Sequence, residues 1–344
     1  MSPKPKPLPN YREILTLVGE FPAADEAAAA AARDRQSRLT KPAGSLGRLE
    51  ELAVWLAAWQ ATETPHCDHP RVAVFAGNHG VAAHGVSAYP PAVTQQMVAN
   101  FVQGGAAINQ LCTVFDADLR IYELDLDHPT ADFTTTPAMT EVEAMTALAY
   151  GMMTVEPGID LLCLGEMGIG NSTAAAALCH ALFGGAAADW VGRGTGVSDS
   201  QLALKTKVIA AGVARHQDRH GQPLALLAAL GGREFCAMVG AIIAARMARI
   251  PVILDGFVGC AAAAVVFALD PHGLDHCMIG HGSAEAGHRR LCTKLGKEPL
   301  LNLGMRLGEG SGAALAIGLI RATVACHNSM ATFDEATVSE RNPY

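Results

Sequence analysis

The chain has 344 residues, enough to bury a large core in one domain, with or without a smaller satellite. Half of the residues are apolar and only 5% are aromatic, which is typical of an α/β enzyme and not of an all-β module. The formal net charge of −8 argues against general binding to nucleic acid or to an anionic membrane surface, so any anionic ligand has to be held by local groups.

Cysteine usage and the first residues predict a soluble, cytoplasmic protein. Nine cysteines are scattered singly, mostly inside apolar runs, and no CxxC pair occurs, which is typical of reduced and buried thiols. The opening stretch "MSPKPKPLPNYREI" has proline where a signal peptide needs an apolar segment. The longest apolar run, residues 257–269, is too short to span a bilayer.

A tail and two helices are predicted at the start of the chain. Residues 1–24 are expected to form a loose N-terminal tail, because four prolines and two lysines occur among the first ten residues. Residues 25–65 are predicted to be helical on both sides of a break at "TKPAGSLG". In the second segment, "RLEELAVWLAAWQ", the large apolar residues share one helical face. We expect these helices to contribute to a smaller helical subdomain.

Five short apolar runs further along the chain are predicted to be strands. They are "VAVFAGNHG" (72–80), "LRIYELD" (119–125), "IDLLCLGEMGIGN" (159–171), "PVILDGF" (251–257) and "HCMIGHGSAE" (276–285). Because helical segments separate them, we predict an α/β fold with a mainly parallel, Rossmann-like sheet flanked by helices. Ligands of such sheets bind at the carboxyl ends of the strands. The segment 223–235 fits either a strand or a helix before the turn at Gly231 and Gly232.

Two glycine-rich loops are candidates for binding an anion. The loop "GEMGIGNST" (165–173) lies at a predicted helix start, where backbone N–H groups and hydroxyls suit a phosphate. It has neither the third glycine of a dinucleotide fingerprint nor the GK[ST] of a Walker loop, and a well-capped strand-to-helix turn is the alternative. The loop "WVGRGTGVSDS" (190–200), with Lys205 beyond it, favours a sugar-phosphate ligand over a flexible surface loop.

The histidines do not predict a metal site. His79 and His84 lie in the loop after the first strand, and His281 and His288 lie after the last one. Neither pair belongs to an HExxH, CxxC or paired-carboxylate pattern. We therefore expect structural or hydrogen-bonding histidines and no bound zinc or iron.

Glu309 is the sharpest single candidate for catalysis. It lies between Gly308 and Gly310 in "RLGEGSGAALA" (306–316), so its backbone can approach a ligand closely. A carboxylate beside an apolar aromatic ligand has its pKa raised toward the range of a general base. The helix predicted to begin near Ser311 acts in the opposite direction, because its dipole favours an ionised glutamate. Glu309 is thus either a general base or a complement to that dipole.

Six motifs occur in the order and at the spacing of a known family, between about residue 38 and about residue 335. They are "KPAGSLGRLE", "FAGNHGVAAHGVSAYP", "GEMGIGNST", "GGREFCAMVGA", "PVILDGF" and "MRLGEGSGAALA". In them the chain closely resembles the nicotinate-nucleotide:dimethylbenzimidazole phosphoribosyltransferases of cobalamin biosynthesis. The resemblance implies transfer of ribose 5-phosphate from nicotinate mononucleotide to 5,6-dimethylbenzimidazole. The products are nicotinate and α-ribazole 5'-phosphate, formed with inversion at the anomeric carbon.

The resemblance also implies a domain division, a homodimer and the absence of a cofactor. Residues 66–305 are expected to form the nucleotide- and base-binding domain. Residues 306–344 are expected to hold the catalytic loop and a C-terminal helix that packs with the small subdomain. No nucleic acid or membrane partner is expected.

The resemblance assigns roles to individual residues, with Glu309 as the catalytic base. The residues implied to bind substrate are Glu166, Gly168, Gly170, Asn171, Ser172, Thr173, Gly192, Gly194, Thr195, Gly196, Lys205, Gly231, Gly232, Asp255 and Ser283. The pocket for the aromatic base is implied to be lined by Tyr89, Met97, Met167 and Leu307. Tyrosine and methionine make that pocket apolar and adaptable, so another benzimidazole or a phenol is an alternative acceptor. Asn78 departs from the family, in which many members have aspartate, and this removes a charge near the site.

Two other classes of protein fit the sequence less well. A non-catalytic nucleotide-binding protein would keep the glycine loops but is expected to lack the glutamate of the GEG motif. Glu309 is present in this chain, which argues against that class. A nicotinamide-dependent oxidoreductase would need a GxGxxG after the first strand. "FAGNHGVAAHG" does not fit that pattern.

Overall fold

A single parallel sheet forms the centre of the computed structural model, which describes residues 10–194 and 196–339. Its strands are β1 Pro70–Ala76, β2 Asp118–Glu123, β3 Leu161–Met167, β4 Val252–Leu254 and β5 Cys277–Ile279. Their order across the sheet is β2-β1-β3-β4-β5, and every neighbouring pair is parallel. The predicted α/β class and all five predicted strands are confirmed. The direction of winding reverses between β1 and β3, which is where ligands bind in open sheets of this kind.

Fourteen α-helices occur in the described residues. They are α1 Tyr11–Gly19, α2 Glu26–Arg38, α3 Arg48–Gln60, α4 Val93–Val102, α5 Ala107–Val114, α6 Glu141–Met152, α7 Asn171–Phe183, α8 Asp199–Arg215, α9 Pro223–Leu230, α10 Arg233–Met247, α11 Phe257–Leu269, α12 Ala286–Leu295, α13 Ser311–Ser329 and α14 Phe333–Ala336. The ambiguous segment 223–235 is therefore a helix, a turn and the start of a second helix. Proline at the first position of α9 favours the helix, since it needs no N–H there. None of these helices combines the length and hydropathy needed to cross a membrane.

Helix α1 corrects the expectation of a loose tail over residues 1–24. Asn10 and Glu13 form a reciprocal capping box at its start, which satisfies two backbone donors. Ile14 and Val18 are buried one turn apart against the main core. The prolines that suggested a tail belong to residues 1–9, which lie outside the described residues.

The sheet is covered on both faces, because alternate residues of each strand enter different cores. Leu162 and Leu164 of β3 pack in one apolar cluster with residues of α6, α7, α10 and α11. Leu161 and Cys163 pack in a second cluster with residues of α3, α4, α5 and α13. This burial on both faces explains why β1, β3, β4 and β5 are largely apolar runs, whereas the edge strand β2 exposes polar residues.

Helix α2 and the residue after it contact the C-terminal end of α13 and the segment that follows it. Arg35 of α2 donates to the carbonyls of His327 and Asn328 at the end of α13, at 2.6 and 2.9 Å. Leu39 forms an antiparallel bridge with Thr332. The proposed division into a helical subdomain of 25–65 with 306–344 and a body of 66–305 agrees with these contacts and stays a prediction.

Helices α6 and α10 cross at two glycines. A Cβ atom on Gly151 would overlap the backbone of Ala237, and one on Gly240 would overlap the carbonyl of Leu148. The neighbouring atoms are backbone atoms, which cannot move away as a flexible side chain does. The helices therefore approach each other so closely only because both positions lack a side chain.

Replacing Gly240 by alanine is expected to lower the free energy of unfolding by about 2 kcal/mol, because the added methyl group overpacks this crossing. Urea denaturation measures the change. Gly259→Ala in α11 is the matched control, because no atom lies within 4 Å of the added Cβ atom. That control should be neutral or stabilising by up to about 1 kcal/mol, since alanine is the better helix former. Equal destabilisation by both substitutions would contradict the close crossing.

Candidate active site

A cavity of about 780 Å³ opens at the carboxyl ends of the strands. Four segments that follow strands or precede helices form most of its wall, namely residues 166–172, 256–258, 281–285 and 306–309. The beginning of α4 and the preceding loop close one side. The cavity thus lies at the edge of the sheet where the sequence analysis expects the ligand.

Glu309 is on the cavity wall in a strained backbone conformation. Its φ angle is +63°, between Gly308 at +86° and Gly310 at +78°. A left-handed conformation at a residue other than glycine costs of the order of 1 kcal/mol and is typical of functional sites. The side chain is only 6% exposed, and its Oε2 atom has no hydrogen-bond partner among the described residues. Burial, with a contribution from the charge of Asp255, raises the pKa of Glu309 to about 7.

Asp255, and not Glu309, provides the carboxylate that complements the dipole of α13. Its Oδ1 atom accepts hydrogen bonds from the N–H groups of Gly312 and Ala313 at 2.7 and 3.1 Å. Its Oδ2 atom accepts one from the N–H group of Gly310 at 3.2 Å. These are donors that a helix start leaves unpaired. Asp255 therefore already complements the dipole of α13, and the structure gives no support to the interpretation that Glu309 does so.

The placement of Asp255 differs from the substrate contact implied by the family resemblance. The residue is 1% exposed and does not line the cavity. Both of its carboxylate oxygens bind backbone N–H groups, as described above. It lies behind the loop that carries Glu309, and its bond to the N–H group of Gly310 holds that loop in place.

Glu166 is a second acid beside Glu309. It lies at the end of β3, is 8% exposed, and its carbonyl accepts the N–H of Glu309 at 3.1 Å. The amide of Asn171 donates to its Oε2 atom. Burial, followed by the charges of Asp255 and Glu234, raises the pKa of Glu166 to about 8. The site therefore holds two acids whose pKa values are both raised by burial.

The first glycine loop leads directly into the N-terminus of α7. Gly168, Asn171 and Ser172 line the cavity, so the start of α7 is directed toward the ligand space. Gly170 is the N-cap residue with a φ angle of +99° and does not line the cavity. Thr173 is fully buried behind the loop.

Lys205 connects the two glycine loops. Its ammonium group donates to Ser172 Oγ at 2.8 Å and to the carbonyl of Gly192 at 3.1 Å. The side chain is completely buried and does not line the cavity, and burial lowers its pKa to about 8. Lys205 thus holds the loops from behind.

Among the described residues of the second glycine loop, Gly194 lies on the cavity wall. Gly192 lies against the carboxylate of Glu285, and a Cβ atom there would overlap it. Gly196 does not line the cavity, and Thr195 lies outside the described residues. Arg306 donates to the carbonyl of Gly194 at 2.9 Å and brings a cation to the wall.

Gly231 and Gly232 lie outside the cavity wall. Gly232 precedes α10 and lies against the buried pair formed by His79 and Glu234. A Cβ atom at Gly232 would overlap both of these side chains. The structure therefore supports a packing role for this glycine pair and brings neither glycine to the ligand space.

Ser283 is on the wall, and its N–H group donates to His288 Nδ1 at 2.8 Å. Burial lowers the pKa of His288 to about 4, so its ring stays neutral and can accept this bond. Asn78 is buried away from the wall and donates to the carbonyl of Leu126 at 2.9 Å.

All four residues implied to bind the aromatic base lie together on the wall: Tyr89, Met97, Met167 and Leu307. Tyr89 and Leu307 are 55% and 56% exposed and mark the mouth of the cavity. Sequence reasoning missed several further wall residues, which are Val93, Ile169, Phe257, Val258, His281, Glu285 and Arg306. The polar residues among them, His281, Glu285 and Arg306, could have been predicted from the sequence. They occur in "HGSAE" after β5 and in "RLGEG" before α13, which are segments at the predicted ligand edge.

His79, His281 and His288 are buried, whereas His84 is exposed and its Nε2 atom lies 2.7 Å from Asp132 Oδ2. His281 is 1% exposed, and its Nε2 atom lies 3.4 Å from Asp255 Oδ1. Over residues 10–194 and 196–339, no group of three or more His, Cys, Asp or Glu side chains is arranged to hold a metal ion.

Replacing Glu166 by glutamine is expected to stabilise the protein at alkaline pH. Folding raises the pKa of Glu166 from its ordinary 4.5 to about 8, so the protonated form is favoured in the folded state. That stability is fully present below the unfolded pKa and is lost as the pH rises through about 8. Glutamine does not ionise, so Glu166→Gln should raise the free energy of unfolding near pH 8.5 by at least about 1 kcal/mol.

Urea denaturation at about pH 4.5 and about pH 8.5 measures this effect, which should nearly vanish at the lower pH. Glu51→Gln is the matched control, because the side chain of Glu51 is 76% exposed. A stability gain of equal size at both pH values would contradict a buried proton on Glu166.

Comparisons with known proteins place the chain in one family. A phosphoribosyltransferase family model, DBI_PRT, matches residues 21–338. A nicotinate-nucleotide–dimethylbenzimidazole phosphoribosyltransferase of Methylocella silvestris is 58% identical over 97% of each chain. One of Brucella anthropi is 53% identical over 98% of this chain and 99% of its own. The crystal structure of CobT from Thermus thermophilus is similar with a TM-score of 0.87 and 42% identity, covering 92% of this chain and 100% of that chain. The chain therefore belongs to the nicotinate-nucleotide–dimethylbenzimidazole phosphoribosyltransferase family.

Proposed function

We propose that this enzyme transfers ribose 5-phosphate from nicotinate mononucleotide to 5,6-dimethylbenzimidazole, yielding α-ribazole 5'-phosphate and nicotinate. The relatives that carry this name cover nearly the whole chain. The observation that carries the proposal for this chain is the unpartnered Oε2 atom of Glu309, which lies in a cavity that also contains an apolar wall and a helix N-terminus. We also propose a cytoplasmic homodimer, on the basis of the family resemblance.

Glu309 acts as the general base. One ring nitrogen of the acceptor attacks the anomeric carbon of the ribose, and the bond from that carbon to the pyridinium nitrogen breaks. The electron pair of that bond neutralises the pyridinium, so nicotinate leaves without needing a proton. The other ring nitrogen of the acceptor loses its proton to the ionised carboxylate of Glu309. A pKa of about 7 suits this task, because the carboxylate is basic and still largely ionised near neutral pH.

The glycine loops hold the phosphate on the side of α7. Asn171 and Ser172 at the start of this helix lie on the cavity wall, where the helix dipole and the hydroxyl of Ser172 favour a bound phosphate. Arg306 adds a positive charge on the wall. With both substrates fixed, positioning and in-line geometry supply much of the remaining acceleration.

The acceptor lies against Met97, Met167 and the open mouth of the cavity formed by Tyr89 and Leu307. Methionine side chains adapt to differently shaped ring systems. The same transfer to another benzimidazole or to a phenol therefore stays part of the proposal. Competition among several acceptors for one donor ranks them directly.

Glu309→Gln is expected to lower kcat/KM by roughly 10²- to 10⁴-fold, because it removes the general base. Formation of α-ribazole 5'-phosphate by the purified protein, followed by chromatography and mass spectrometry, measures the rate. In the unsubstituted enzyme kcat/KM should rise about tenfold per pH unit below about pH 7 and level off above it. Glu51→Gln, at an exposed position, should keep the full rate. Binding of the nucleotide without turnover would instead favour a non-catalytic protein.

Asp255→Asn is expected to lower kcat about tenfold with little change in KM, because asparagine cannot accept all three N–H bonds at the start of α13. It also removes a charge that raises the pKa of Glu309, so the rise of kcat/KM with pH should move to lower pH. The pH profile and the free energy of unfolding are measured together. A loss of rate with an unshifted profile would contradict electrostatic coupling between the two carboxylates.

A further inference from the structure

A second cavity of about 660 Å³ lies on the far side of the sheet from the active site. It is enclosed by α1, the loop from α1 to α2, the last turn of α10 and the loop from α11 to β5. The segments after α10 and α11 lead into the amino ends of β4 and β5, opposite the catalytic edge. Much of the wall is apolar, with Leu15, Val18, Phe21 and Leu269 among its members. None of the residues with a proposed role in the reaction lines this cavity.

The cavity contains a buried cation whose donors are unused. Arg246 is 4% exposed, and its Nε and Nη1 atoms have no hydrogen-bond partner among the described residues. Asp275 and Asp270, which also line the cavity, act on Arg246 through their charges. Buried charges are normally paired, because an unpaired one costs several kcal/mol of solvation.

Aromatic rings fix the orientation of this cation. The guanidinium carbon of Arg246 lies 4.2 Å from the centroid of the Trp59 ring and 5.5 Å from that of Phe21. Such contacts stabilise the charge but accept none of its N–H bonds. A planar, oriented guanidinium group presents two parallel N–H donors when Nη2 is paired with Nε or with Nη1, and that is the geometry that binds a carboxylate in a bidentate way.

We propose that this cavity is a binding site for a small monocarboxylate with an apolar or aromatic body, held through its carboxylate by Arg246. The apolar wall suits the body of such a ligand, and the guanidinium group suits its carboxylate. Asp270 and Asp275 on the wall disfavour a more highly charged anion such as a phosphate monoester. The site is separate from the substrate cavity, so it does not depend on the proposed reaction.

The test uses 4-fluorobenzoate as the probe, followed by ¹⁹F NMR, with tryptophan fluorescence as a second signal because Trp59 lies against Arg246. The whole protein should bind the probe saturably, and inorganic phosphate should not compete. Arg246→Gln should weaken binding roughly tenfold or more, because it removes the bidentate partner. Arg306→Gln is the matched control for the active-site cavity and should leave the affinity unchanged.

Because Arg246→Gln could act by unfolding the protein, Asp275→Asn provides an independent test. The side chain of Asp275 is 51% exposed, and its loss should strengthen binding about two- to threefold by removing a repelling charge. Unfolding cannot produce a gain of affinity. The proposal is overturned if the probe does not bind saturably, if Arg306→Gln abolishes binding while Arg246→Gln preserves it, or if phosphate displaces the probe.

Discussion

The buried carboxylate of Asp255 organises the catalytic edge. It accepts the N–H groups of Gly310, Gly312 and Ala313, and thereby satisfies donors that would otherwise be buried without partners. These bonds hold the start of α13 in place. Glu309 is the residue immediately before the N-cap of this helix, so its position is fixed with it. The N–H of Glu309 in turn binds the end of β3, which fixes its left-handed backbone against the sheet. The position of the proposed base thus follows from a charge that never reaches the ligand space.

The same arrangement brings the carboxyl groups of Glu166, Asp255 and Glu309 together in a buried region of low polarity. Burial disfavours the charged forms of Glu166 and Glu309, and the nearby charge of Asp255 acts in the same direction on both. Folding is therefore most favourable when Glu166 and Glu309 are protonated, whereas the proposed chemistry needs Glu309 ionised. Lys205 and Arg306 lie beside the glycine loops, where an anionic ligand is expected. A catalytic site that is less stable than an apolar substitute is the usual result of such a trade-off.

The parts of the fold that the sequence predicted well are those with local causes. Strands β1, β3, β4 and β5 are short, largely apolar runs because both of their faces are buried, and the alternation of strands with helices leaves few sheet topologies. Helix α1 was missed because the prolines before Asn10 hid the capping box formed with Glu13. The segment 223–235 was ambiguous because α9 is buried on all sides and so carries no polar periodicity.

For the site, the sequence by itself determined the family and the prominence of Glu309, because the GEG motif and the glycine loops are contiguous in the chain. Only the tertiary structure decided that Asp255 caps α13, that Glu285 and Arg306 join the cavity, and that Arg246 lies buried on a Trp59 ring. These residues are dozens of positions or more from their partners in sequence. Asp255, Glu285 and Arg306 reach the site because parallel crossovers bring the ends of distant strands to one edge of the sheet. Arg246 and Trp59 belong to two different helices, and no local pattern encodes either proximity.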